Sequence, residues 1–165
     1  MPVVLIRIDD RLIHGQITCA WVDHLKAQRI IVVNDKVTKN PVMVKLLPLA
    51  APLRPDVKVS AMTVTEAIDQ LKSGIYENER VILILDNPRD VLTLVKGGVQ
   101  LDWVDVGQQG HQEGEKRITR TVSVSPEEVE IYKEIANNGV RLLYWQVPSE
   151  PKSDFIEALK KHFPW

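Results

Sequence analysis

A single cysteine, Cys19, stands in the whole chain, so no internal disulfide can form and a reducing compartment is expected. Its neighbours Ala20 and Trp21 belong to a predicted first helix, where a buried, inert thiol is the expected role. No apolar run reaches the roughly 18 residues that a bilayer-spanning helix needs. Residues 1–6 are too short for a signal peptide, and charge follows at once. The expected location is cytoplasmic, and in any transport role other subunits would form the membrane passage. Basic runs are missing, as are basic patches interleaved with aromatics, and the formal net charge is -1. These absences exclude a nucleic-acid binder whose affinity rests on phosphate neutralisation. Missing too are internal repeats, low-complexity tracts and metal-ligand spacings such as Cys-x-x-Cys or His-Glu-x-x-His, so no metal or other cofactor is expected.

The remaining material is ordinary globular sequence, 44% hydrophobic and 26% charged, and 165 residues suit one domain, 1–165, that buries its core without staples. Apolar runs at 2–8, 29–33, 57–60, 80–86, 101–106 and 141–147 read as strands, the clearest central one being 80–86, whose run would be covered on both faces. Residues 117–124 alternate polar and apolar side chains and read as a half-exposed edge strand. Helical patterns fall between the strands, with start signals at Thr38, at Thr63 or Thr65, at Asn87-Pro88, at Ser125-Pro126 with Glu128, and at Ser153. Residues 49–56 form a proline-rich joint, read as a stiff surface connection. About seven strands alternating with six helices predict an α/β fold: one open, mostly parallel sheet with helices on both faces. Loops after residues 8, 33, 60, 85 and 106 would share one end of that sheet, the end where such folds gather ligands.

The chemistry concentrates in the first of these loops. The apolar run stops at Ile8, and Asp9, Asp10, Arg11, His14 and Gly15 follow before the helical pattern begins. Neutral imidazole is a good nucleophile, since its ordinary pKa of about 6.5 leaves a lone pair available at neutral pH. Arg11 offers a planar fork of donors suited to phosphate oxygens. Gly15 lets the backbone approach an anion closely, and with Gln16 at the helix start the N–H groups there add partial positive charge. Together they make a pocket for a tetrahedral dianion with His14 inside it. Asp9 and Asp10 are the orienting candidates, to fix the imidazole tautomer or to hold Arg11, and their assignment stays open. The plain alternative is structural: a histidine after a strand is more often a solvated loop residue or cap, and an exposed Arg–Asp pair is worth little. Asn34 and Asp35 end the second strand and are expected to line the same cleft. Gly107 is expected there too, opening a glycine-rich loop over residues 107–114 that could fold over a phosphoryl group or a partner. His24, His111 and His162 fit structural or loop roles, and Asp86 fits a turn with Asn87.

Residues 7–16, Arg-Ile-Asp-Asp-Arg-Leu-Ile-His-Gly-Gln, resemble the active-site signature of the IIB subunits of the mannose/sorbose/fructose family of the sugar phosphotransferase system. The likeness continues through Val33-Asn34-Asp35, Leu94-Val95-Lys96-Gly97-Gly98-Val99, Asp105-Val106-Gly107, Thr121-Val122-Ser123-Val124 and Val147-Pro148-Ser149-Glu150-Pro151. The resemblance implies a protein-phosphohistidine–sugar phosphotransferase. His14 would accept a phosphoryl group from the histidine of a IIA protein, through Nδ1, and pass it to a sugar imported through membrane-embedded IIC and IID subunits. Arg11 would be its phosphate clamp, and the protein would work in the cytoplasm at the periphery of that transporter. The sequence departs at Gln108-Gln109, where the family commonly has Gly or Asn and then Met. Sugar contacts in such systems belong mainly to the membrane partners, so mannose, fructose, sorbose and amino sugars are all compatible, and nothing selects an oligomeric state.

Two rivals come from other classes. A receiver-type signalling domain would use Asp9-Asp10 as its acidic metal pair, but it also wants an aspartate at the end of the third strand and a lysine after the fifth. Asp56 falls before the third predicted strand, and no matching lysine follows Val106. A non-catalytic binder of sugar phosphates would use Arg11 and the glycine loops.

Overall fold

The structure, a computed structural model, describes residues 2–50 and 56–165, apart from the side chains of Gln16 and Ile17. The middle of the proline-rich joint, residues 51–55, lies outside the described residues. In chain order the elements are β1 (Val3–Asp9), α1 (Gly15–Leu25), β2 (Arg29–Val33), α2 (Asp35–Thr38), α3 (Pro41–Leu46) and β3 (Lys58–Met62). They continue with α4 (Val64–Ser73), β4 (Val81–Leu85), α5 (Pro88–Lys96), β5 (Trp103–Gln108), β6 (Lys116–Arg117) and β7 (Ser123–Val124). The chain closes with α6 (Pro126–Asn137), β8 (Arg141–Tyr144), β9 (Ser153–Asp154) and α7 (Phe155–Lys160).

Seven strands form one sheet in the order β3-β2-β4-β1-β5-β8-β9. Every neighbouring pair is parallel except β8 with β9. The predicted α/β architecture is therefore the observed one. Pleating divides the strand residues between two cores. Ile6, Ile8, Ile31, Leu83, Leu85, Val104 and Val106 face one side, with Val91, Val129 and Tyr132 from α5 and α6 packed on them. Leu5, Ile30, Val32, Ile82 and Ile84 face the other, with Trp21 and Val22 of α1. All five residues of β4 are buried, as expected of a strand covered on both faces.

The connection from β1 runs to β2 on one side of the sheet's centre, and the connection from β5 runs to β8 on the other, while β1 and β5 are hydrogen-bonded neighbours. Their carboxyl ends thus lie where consecutive crossovers diverge, which opens a crevice between the loops.

Several helix starts follow the predicted chemistry. Thr63 with Glu66 and Ser125 with Glu128 make complete capping boxes, and Asn87 caps α5 ahead of Pro88. Three local readings need correction. Thr38 caps nothing: it ends α2, and Asn40, followed by Pro41, caps α3, because an Asn-Pro pair supplies both the cap oxygen and a first-turn φ. Asp154, not Ser153, caps α7, since Ser153 pairs with Tyr144 in the sheet. Residues 117–124 are not an edge strand of the main sheet. The backbone N–H of Ile118 donates to the Val122 carbonyl and folds the segment back, so that β6 and β7 pair as a short hairpin, joined to the main sheet by a single parallel bridge between Val122 and Gln109 just beyond β5.

Candidate functional site

The loop after β1 is shaped by one carboxylate. Asp9 ends the strand with its side chain on the α1 face, 1% exposed, and receives five hydrogen bonds. Its Oδ1 accepts from the backbone N–H of Arg11 (3.0 Å) and from Arg11 Nε (3.1 Å). Its Oδ2 accepts from Arg11 Nη2 (3.1 Å) and Arg7 Nε (3.3 Å), and lies 2.9 Å from His14 Nε2. The side chain–backbone bond to Arg11 and the Leu12 N–H bond to the Asp9 carbonyl make a tight turn. Leu12 in that turn stands at φ 59, and Gly15 beyond it at φ 29. The second value suits glycine, whose lack of a Cβ removes the steric cost. His14 is the N-cap residue of α1, its N–H donating to Thr18 Oγ1 at 3.2 Å. The helix therefore starts at the same loop and directs the positive end of its dipole there.

Charge decides the tautomer. Burial raises the Asp9 carboxyl, but bonds from His14, the Arg11 side chain and the Arg11 N–H, with the nearby Arg7 charge, outweigh it and hold the group at about 2. An ionised carboxylate only accepts, so the proton in the 2.9 Å contact belongs to His14 Nε2. The lone pair is then on Nδ1. The His14 side chain is 22% exposed and that of Arg11 39%, so both are within reach of a partner. The two roles that the sequence leaves open between Asp9 and Asp10 fall to one residue: Asp9 both orients His14 and holds Arg11. Asp10 is exposed and accepts from the Gly110 N–H at 2.7 Å, tying this loop to the one after β5.

Asp9 should also leave a mark on stability. Its proton is bound less tightly in the folded chain than in the unfolded one, so its contribution is full above about pH 4 and is lost as pH falls towards about 2. The contribution is about 2 kcal/mol. Urea midpoints at about pH 5 and pH 2 should therefore show the wild type losing about 2 kcal/mol more than Asp9→Asn. Asp105, raised by burial against the pull of Arg7, acts with the opposite sign and is common to both proteins. Equal losses in the two proteins would refute the assignment.

Beneath Asp9 lies a residue that the candidate set lacks. Arg7 is 3% exposed. Its Nη1 donates to Asp105 Oδ2 (2.6 Å) and to the carbonyls of Trp145 (3.0 Å) and Gln146 (3.1 Å), and its Nη2 to Gln146 Oε1 (3.1 Å). Parallel register sets Arg7 opposite Asp105 across β1 and β5. The sequence signal was available: charged residues inside two apolar strand runs are rarely buried unless they are paired.

Gly107 corrects another expectation. It belongs to β5 and is buried, and a Cβ on it would collide with the Arg7 guanidinium, so it packs against Arg7 and does not open the loop. Asn34 and Asp35 cap α2 and the start of α4 and line a cavity of about 480 Å³ with Lys36, Asp86, Asn87 and Arg89. His14 is not in that lining. It borders a void of about 10 Å³ with Arg7, Asp9, Thr18 and Trp21, far below the roughly 300 Å³ at which small-molecule sites begin. Gly15 stands with His14 at the helix start, while the side chain of Gln16 lies outside the described residues. Gln109, one of the two departures from the family pattern, is buried and structural: its Nε2 donates to Glu128 and its Oε1 accepts from Tyr132. Asp86 accepts from Asn87 in the turn before α5, His24 is exposed beside Trp21 and Trp145, and His111 contacts Ser123. His162 lies beyond the end of α7, so it does not complete that helix's last turn.

The fold and this loop define a mostly parallel α/β protein that presents an imidazole and a guanidinium, both fastened to one buried aspartate, just beyond the carboxyl end of a central strand. Residues 3–163 match the model of the family described as the PTS system sorbose subfamily IIB component. The chain is 37% identical over 161 residues to the sorbose-specific EIIB component of Klebsiella pneumoniae, covering 98% of this chain and 97% of that one. It is 36% identical over 161 residues to the mannose-specific EIIAB component of Escherichia coli strain K12, covering 98% of this chain and 49% of the longer one. The crystal structure of the IIBSor domain of the Klebsiella pneumoniae sorbose permease matches it with a TM-score of 0.92 at 36% identity, over 100% of both chains. The chain belongs to this family of IIB components of the sugar phosphotransferase system, the mannose/sorbose class that residues 7–16 resemble. Membership implies a part in sugar phosphotransfer. Among the described residues no helix is long and apolar enough to cross a membrane.

Proposed function

We propose that His14 is the phosphocarrier of a two-step relay, taking a phosphoryl group from a phosphohistidine on a IIA partner and giving it to a sugar held by membrane-embedded IIC and IID subunits. The observation that carries this reading is the His14 Nε2 contact with the ionised Asp9 carboxylate, which leaves the Nδ1 lone pair for attack. Nδ1 attacks phosphorus in line, while Arg11 and the N–H groups at the start of α1 meet charge on the transferring oxygens. The small void beside His14 favours a protein as the immediate donor, since among the described residues that void is too small to enclose a free sugar phosphate. The Escherichia coli relative, named as an EIIAB component, supports a IIA-type donor. In this reading the whole chain acts as one IIB domain in the cytoplasm, docking transiently at the transporter.

The test is phosphate uptake from a phosphorylated IIA donor. Wild-type protein should acquire acid-labile phosphate, and His14→Ala none; acid-labile phosphate on the alanine variant would overturn the reading. Arg11→Ala should keep the site but slow uptake by about 10²-fold, the usual cost of losing one donor to developing charge. Rapid-quench measurement of a single turnover gives that number, and an unchanged rate would remove Arg11 from the transfer.

A further inference from the structure

Arg7 and Arg11 share one carboxylate and differ in freedom. Arg11 spends its Nε and Nη2 edge on Asp9, yet its side chain is 39% exposed and every hydrogen bond of its side chain among the described residues goes to Asp9. It can turn outward. Arg7 cannot: it is buried, engaged by Asp105, Gln146 and two backbone carbonyls, and pressed against the backbone of Gly107. We propose, on the phosphocarrier reading above, that Arg7 is a positioning residue of the transfer, keeping the Asp9 carboxylate on His14 Nε2 while Arg11 leaves Asp9 for the arriving phosphoryl group.

The chemistry requires such a holder. As the phosphoryl group moves, the donor P–N bond breaks and its electron pair returns to the donor imidazole, while the Nδ1 lone pair of His14 forms the new N–P bond. The Nε2 proton stays on the ring, and the positive charge gained there faces Asp9. If Arg11 has turned to the phosphoryl oxygens, Arg7 is the one remaining arginine on that carboxylate among the described residues. A buried carboxylate without a cation takes up a proton or rotates away, and the ring then loses its fixed tautomer. Arg7 itself touches no reacting atom. Its effect passes through Asp9.

Removing Arg7 alone strands Asp105, so the informative variant is Arg7→Met combined with Asp105→Asn, with Asp105→Asn alone as the control. Each is first checked for folding by its amide fingerprint. With a phosphorylated IIA protein as donor, the double variant should slow single-turnover uptake by about 10²-fold, the scale of a misplaced reacting group, with half-saturation by the donor unchanged. The control should stay within a few-fold of wild type. The second readout needs no activity: long-range proton–nitrogen spectra of the His14 ring at about pH 8, where an ordinary imidazole is neutral. Arg11→Ala should retain the neutral Nε2–H signature, because Arg7 still holds Asp9, and adding Arg7→Met with Asp105→Asn should abolish it. An unchanged rate, a change in half-saturation alone, or a signature already lost in Arg11→Ala would overturn the role of Arg7. A wild type that takes up no phosphate on His14 would instead sink the phosphocarrier reading, and the tautomer arm would still judge the hold on Asp9.

Discussion

Replacing Asp9 with Asn is expected to slow phosphate uptake by about 10³-fold or more, while the protein stays folded at neutral pH. The carboxylate is a pure acceptor that obliges His14 to carry its proton on Nε2. An amide in its place offers an N–H as readily as a carbonyl, and the N–H would pair with an unprotonated Nε2 and drive the proton to Nδ1, the nitrogen that must attack. In a serine-protease triad the same exchange costs about 10⁴-fold for this reason. The amide also loses the charge that holds both Arg11 donors. Asp10→Asn is the matched control: Asp10 accepts only from the Gly110 N–H among the described residues, so a change of a few-fold at most is expected. Single-turnover rates from a phosphorylated IIA donor separate the two, and comparable losses in both variants would contradict the division of roles.

Arg7→Met alone should destabilise the fold by about 3–5 kcal/mol, the cost of leaving one member of a buried ion pair behind. The stranded group is Asp105, fully buried, whose Oδ2 has Arg7 Nη1 at 2.6 Å and whose Oδ1 accepts from the Trp145 N–H. Urea unfolding at neutral pH measures the loss. Adding Asp105→Asn should recover most of it, because a neutral amide no longer needs a cation. A loss below about 1 kcal/mol for Arg7→Met would mean that the pair does not hold β1 to β5.

Much of this was legible in the chain itself. Alternating apolar runs and helix starts such as Ser125-Pro126 with Glu128 are local signals, and the structure carries them through as parallel strands and capping boxes. The loop holding Arg11 and His14 was equally visible, because polar residues crowd directly behind a buried strand. What escaped is tertiary. Asp9 and Asp10 are chemically alike, and only the pleat, which puts Asp9 on the same face as Arg7 two residues earlier, separates an anchor from a loop tie. Gly107 reads as the start of a flexible loop until Arg7, one hundred positions away, is brought against it by the pairing of β1 with β5. The hairpin of β6 and β7 was read as an edge strand because alternation reports a half-buried surface without naming its neighbour.

The most direct measurement is to phosphorylate protein carrying nitrogen-15 histidine and to find, by phosphorus–nitrogen coupling, which ring nitrogen bears the phosphorus. Phosphorus on Nδ1 of His14, with the Nε2 proton still in place, is the predicted result. Phosphorus on Nε2 of that ring, on His24, His111 or His162, or on a carboxylate would contradict it.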